Sequence, residues 1–210
     1  MRFVEELHHP MLEEIDRKEV TCLLTGNGKS ELHIVKAICE RHNGKEKTIW
    51  FPAFPRELLM PGAGLKALNA VKKLVELKIY SFLLLVDREH FRGGFLDEVE
   101  NYLRSKGIVI NGKPEKISED ALKIDCSIGA HKAVIYVVVS GSRKSIEENI
   151  ALLIELEFSE NVKPEKNEIK RFLRKHNIRN LEELVSNSKM ENIVRAFPGL
   201  SLSFKFIVAN

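Results

Sequence analysis

The residues of this chain best suited to chemistry are Asp87, Arg88 and Glu89, which follow directly on an apolar run, Phe-Leu-Leu-Leu-Val, at 82–86. That run is too short for an ordinary helix and is bracketed by polar residues, which predicts a strand buried on both faces, as in the middle of a parallel sheet. In open α/β sheets ligands bind beyond the carboxyl ends of the strands, so an acidic pair emerging there is placed for chemistry. Two carboxylates one residue apart, where a strand breaks into a loop, can both turn toward one hard cation such as Mg²⁺. The structural alternative gives Asp87 a capping role and leaves Glu89 solvated.

Two other strand ends carry polar groups. The first strand is expected at 20–24, and a helix at 30–41 has Leu32, Val35, Ile38 and Cys39 at apolar positions. Between them lies Thr25-Gly26-Asn27-Gly28-Lys29-Ser30, whose glycines permit a tight turn that aims backbone N–H groups at an anion. It falls short of a P-loop: Gly28-Lys29-Ser30 supply its end, but Leu23 occupies the first glycine position. The other strand end, after a buried strand at 133–139, reads Ser-Gly-Ser-Arg-Lys-Ser-Ile-Glu-Glu at 140–148. Arg143 and Lys144 suit a phosphate backbone, and Glu147 at a helix start suits a metal or the helix dipole. Ser145 and Glu148 have capping-box spacing, which leaves Glu147 freer for other work.

The elements that must position these groups alternate strand, helix, strand, helix, strand, helix, which predicts an α/β fold with a mostly parallel sheet and helices on both faces. Residues 2–18 read as a short amphipathic helix or turn interrupted by Pro10. A second strand is expected at 48–51, a long helix at 65–77 opened by the glycines of 61–64, and a helix at 95–106 ended by Gly107. Asn111-Gly112 signals a turn, and the alternation of Leu122, Ile124, Cys126 and Ile128 a half-exposed strand. We place a boundary after residue 158. Beyond it lies a small helical extension at 159–210, made basic by Lys166, Lys170, Arg171, Arg174, Lys175 and Arg179 and closing in a strand at 201–208.

At 210 residues, 44% hydrophobic and 30% charged, the chain suits one α/β domain with an extension, or two small domains. The bias toward Lys, Glu and Arg is of the kind seen in heat-adapted proteins. A net charge of +3 announces no global field for nucleic acid, so a basic contact would have to be local. The three cysteines are widely spaced and form no zinc pattern, the N-terminus has no signal-peptide core, and no apolar run approaches the ~20 residues of a membrane helix. The expectation is a cytoplasmic chain without membrane contact; self-association stays open.

Taken together, the strand ends resemble the TOPRIM fold, the sheet domain of topoisomerases, primases and OLD-type nucleases. In that family the first strand ends in a Glu followed by Gly and another acid, the third in Asp-x-Asp, and in nuclease relatives a further acid follows the fourth. Here Asn27-Gly28-Lys29-Ser30-Glu31 matches the first motif except at the leading Glu. Asp87-Arg88-Glu89 is the second, and Ser145-Ile146-Glu147-Glu148 stands where the last would be. The resemblance spans about residues 20–155. It implies a Mg²⁺- or Mn²⁺-dependent nuclease acting on DNA or RNA. Asp87, Glu89 and Glu147 would hold the metal, and Glu31 or Glu147 would replace the missing base, because Asn27 takes no proton at neutral pH. Asn27, Gly28, Lys29, Ser30, Arg88, Arg143 and Lys144 would meet the backbone by charge-assisted hydrogen bonds. The rival expectation is a non-catalytic module that kept the sheet for binding nucleic acid or protein. A third is a nucleotide-binding protein using the 26–30 loop.

Overall fold

A computed structural model describes residues 1–5, 19–25, 29–42, 47–51 and 64–209. Their strands form one mixed sheet of eight: β1 (Arg2–Glu5), β2 (Val20–Thr25), β3 (Thr48–Phe51), β4 (Ser81–Asp87), β5 (Val109–Ile110), β6 (Glu115–Ser118), β7 (Ala121–Ile128) and β8 (His131–Ser140). The order is β1-β3-β2-β4-β8-β7-β5, with β6 also paired to β7. From β1 to β8 every pairing is parallel, whereas β7 runs antiparallel to β8, β5 and β6. The expectation of a mostly parallel sheet thus holds for one half. The β8–β7 pair is a hairpin, joined through Gly129 and Ala130, and needs no crossover helix.

Alternation along the central strands creates two cores. Leu23, Leu83, Leu85, Tyr136 and Val138 face a cluster shared with helices α1 (Lys29–Arg41) and α4 (Ile146–Phe158). Cys22, Leu24, Phe82, Leu84, Ile135 and Val137 face the opposite cluster, shared with α2 (Val71–Glu76) and α3 (Phe95–Ser105). Helices therefore cover both faces, and β4 is buried over nearly its whole length. Each aliphatic side chain so buried contributes about 1.5–3 kcal/mol, which makes β4 a stiff support for Asp87 at its end. All three cysteines are free and buried.

The C-terminal helices α5 (Lys166–Lys175), α6 (Leu181–Asn187), α7 (Met190–Ala196) and α8 (Pro198–Ala209) pack on the first cluster through Ile169, Phe172, Leu184, Ile193 and Phe204. The Arg41 guanidinium ties α1 to the end of α6 by donating to the carbonyls of Val185 (3.1 Å), Ser186 (2.9 Å) and Ser188, the polarity a helix C-terminus favours.

Three expectations need correction. The strand expected at 201–208 is the body of α8: Pro198 takes the first helical position, and the buried Leu200, Phe204 and Ile207 share a helical face. A short apolar run satisfies both periods, and tertiary burial decides. Residues 2–5 form strand β1 rather than a helical lead-in; residues 6–18 lie outside the described residues. The long helix expected from residue 65 begins as a 3-10 segment, Gly64–Ala70, before α2; the glycine opening at 61–63 is also outside the described residues. No helix among the described residues is long and apolar enough to cross a membrane.

Candidate active site at the switch point of the sheet

The chain leaves β2 for β3 on one side and returns from β3 to β4 on the other, so strand order reverses between β2 and β4. The crevice beyond the carboxyl ends at such a reversal is where doubly wound sheets bind ligands. Three acidic side chains from different segments meet there. Glu31 is in the first turn of α1, Asp87 is the last residue of β4, and Glu147 is in the first turn of α4 after β8. They are 4%, 6% and 6% exposed, an unusual burial for carboxylates.

Each is held differently. Asp87 accepts a hydrogen bond at Oδ1 from the backbone N–H of Ile146 (3.0 Å), so the β4 carboxylate caps α4 from another element. This contact also sets Asp87 beside residue 147. Glu147 accepts at Oε2 from the Ser145 hydroxyl (2.6 Å), and its Oε1 lies 3.7 Å from the Lys166 ammonium at the start of α5. Glu31 Oε2 is buried without a hydrogen-bond partner among the described residues. Burial pushes the Glu31 carboxyl up from 4.5 to about 7. The charges of Asp87 and Glu147 add to the rise, against the opposing pull of its own backbone N–H and of Lys166. Glu31 therefore senses both other acids and titrates near neutrality.

The other expected site residues fall outside this trio. Glu89 sits in a 3-10 turn, Arg88–His90, with its side chain exposed; its backbone N–H donates to the Lys144 carbonyl (2.9 Å), joining this turn to the β8–α4 loop. It is absent from the charges acting on Glu31. Arg88 turns away to Asp120 (2.5 Å) and lies 5.5 Å from the centre of the Phe95 ring, so it clasps the turn between β6 and β7. Arg143 and Lys144 are exposed in the β8–α4 loop. Asn27 and Gly28 lie outside the described residues; Lys29 and Ser30 open α1.

The capping box expected from Ser145 and Glu148 does not form. The Ser145 hydroxyl goes to Glu147, while Glu148 Oε2 accepts from the N–H groups of Ser142 (2.6 Å) and Arg143 (2.8 Å) and from the Ser142 hydroxyl (2.9 Å). Partial burial raises its pKa, but these donors outweigh it and the net shift is downward. Asn149 fixes the same loop, accepting from the Gly141 N–H (2.6 Å) and donating to the Ala196 carbonyl (2.7 Å). At Gly141, φ is +79°, and a Cβ would stand 2.5 Å from the Ser145 carbonyl oxygen, so only glycine fits. Glu148 thus holds the loop and Glu147 is left to face the site.

Two contributors were hidden from the sequence. Lys166 reads there as one of several basic residues, and its meeting with Glu147 depends on how α5 docks. Asn149 carries no local signal at all.

Among the described residues, no group of three or more His, Cys, Asp or Glu is arranged to hold a metal ion. The arrangement consists of an adjacent acidic pair, Asp87 and Glu147, and a third carboxyl whose unpartnered oxygen is electrostatically coupled to both. Mg²⁺ ordinarily takes one or two carboxylates from a protein, with waters and substrate phosphate completing its shell; Asp87 and Glu147 are the two that would supply them. Comparisons with protein-family models, curated proteins and solved structures find no match.

Proposed function

We propose that the chain is a Mg²⁺- or Mn²⁺-dependent phosphodiesterase acting on nucleic acid, with its centre at Asp87, Glu147 and Glu31. The observation that carries this reading is the burial of these acids at the switch point, one of them titrating near 7 and with an oxygen that has no hydrogen-bond partner among the described residues. A structural core has no use for such a group. Ionised without a partner it is costly, and a pKa near the working pH is what a general acid or base needs. Asp87 and Glu147 would hold the cation, which when bound supplies positive charge for the phosphate and a more acidic water. Glu31 at Oε2 takes the proton released by the attacking water or returns one to the leaving oxygen. Arg143 and Lys144, exposed on the loop after β8, and Lys166 beside Glu147 attract the phosphate backbone. Such contacts orient without reading bases. Glu89 takes no first-rank role in this reading.

A second reading is favoured by the Asp87–Ile146 and Glu147–Lys166 contacts, which satisfy two of the acids internally. In it, the sheet is a non-catalytic module for binding nucleic acid or protein, and Glu31 stays protonated. Calorimetry of Mn²⁺ binding separates the two. Binding to the wild type that is lost in Glu147→Gln supports the enzyme; no binding to either supports the module.

A further inference from the structure

Beside Glu147 opens a cavity of about 300 Å³, walled by α1, α4, α5 and the loop leading into α6. Ile150, Ile169 and Leu173 form an apolar floor, and Lys166, Lys170 and Arg179 stand on its rim. Among the described residues Glu147 is the one acid in the lining, so these residues give the cavity excess positive charge. Lys170 is exposed and makes no ion pair among the described residues; the Arg179 side chain is 87% exposed with its Nε 3.7 Å from Glu183. Both heads can therefore take up an anion without breaking a buried contact.

We infer that this cavity binds one unpaired nucleotide of a single-stranded nucleic acid, its base against the apolar floor and its phosphates on the Lys166, Lys170 and Arg179 rim. The inference rests on the phosphodiesterase reading for why such a site adjoins Glu147. The volume is at the lower end of the roughly 300–1,000 Å³ of small-ligand pockets, which suits one nucleotide unit. A base paired and stacked in a duplex cannot enter it, so the substrate class is single-stranded or locally unpaired. The sequence shows only a basic C-terminal segment; the docking of α5 against α4 aims part of it at the candidate site.

The test is binding of an internally labelled oligothymidylate, followed by fluorescence anisotropy in EDTA so that no cleavage intervenes. Each single-strand phosphate contact contributes about −0.7 to the slope of log K against log salt, so Lys170→Ala lowers that slope by about 0.7 and the affinity at 0.1 M salt by about 5-fold. Arg179→Ala does the same. Arg104→Ala, on the exposed face of α3, serves as the control and binds as the wild type does. AMP competes for the site, whereas inorganic phosphate at the same concentration does not. The inference is overturned by equal losses in Lys170→Ala and Arg104→Ala, by duplex binding as tight as single strand, or by phosphate competing as well as AMP. Pocket binding without Mn²⁺-dependent cleavage keeps the inference and removes the enzyme reading. Cleavage with no effect of Lys170 or Arg179 keeps the enzyme and removes the pocket.

Discussion

Replacing Glu31 by glutamine tests the electrostatics of the site without touching its shape. In the folded chain this carboxyl holds its proton to about pH 7, raised from 4.5. Between those values the native state binds a proton that the unfolded state has released. Stability therefore falls as pH rises from 4.5 through 7 and levels off above. At about 1.36 kcal/mol per unit the whole effect is about 3.4 kcal/mol, of which about 2.5 kcal/mol falls between about pH 5 and pH 8. The glutamine side chain cannot ionise, so the variant loses this dependence. In urea unfolding, Glu31→Gln should gain up to about 2.5 kcal/mol on the wild type between about pH 5 and pH 8. Because a divalent cation favours the ionised carboxyl, added Mg²⁺ should flatten the wild-type profile; in the variant, which keeps Asp87 and Glu147, it should raise stability without changing the slope with pH. Parallel pH profiles for the two proteins would refute the reasoning, since Glu31 would then be an ordinary solvated acid.

Two further substitutions separate scaffold from site. Gly141→Ala places a Cβ against the Ser145 carbonyl at positive φ; the expected loss is about 1–3 kcal/mol in urea unfolding, with the loop bearing Arg143 displaced, and an unchanged midpoint would show that the loop tolerates the side chain. Arg88→Ala removes the Asp120 pair and the Phe95 contact, at a cost of about 1 kcal/mol for a partly exposed pair. Nucleic-acid binding should stay within about twofold of wild type; a large fall in binding at unchanged stability would return Arg88 to the phosphate contacts expected from the sequence.

The parallel core was legible because its strands are buried on both faces and read as unbroken apolar runs, Phe82 to Val86 above all. Asp87 and Glu147 could be picked out because each stands directly after such a run or at a helix start. Glu31 was visible as an acid of the first turn of α1, but its near-neutral titration depends on burial and on neighbours 56 and 116 positions away. No local pattern carries that. For Glu89 and Arg88, adjacency in sequence to Asp87 suggested a shared task, and the geometry that separates them from it is not local: the 3-10 turn after β4 sends Arg88 to Asp120 and leaves Glu89 exposed. Alternation at 122–128 marked β7 as a strand, but the extent of the antiparallel half depends on pairings between β5, β6 and β7 that no single run encodes. The body of α8 was misread because a short apolar run fits both a strand and a helix.

The most direct measurement of the central claim is Mn²⁺-dependent cleavage of single-stranded and duplex nucleic acid by the wild type and by Asp87→Asn. Asparagine keeps the carbonyl oxygen that accepts from Ile146 N–H, so the α4 cap survives while the charge is lost. The account expects cleavage by the wild type that stops in EDTA, and a loss of at least about 100-fold in the variant at nearly unchanged stability. Wild-type binding of nucleic acid without cleavage, or cleavage by Asp87→Asn at the wild-type rate, would contradict it.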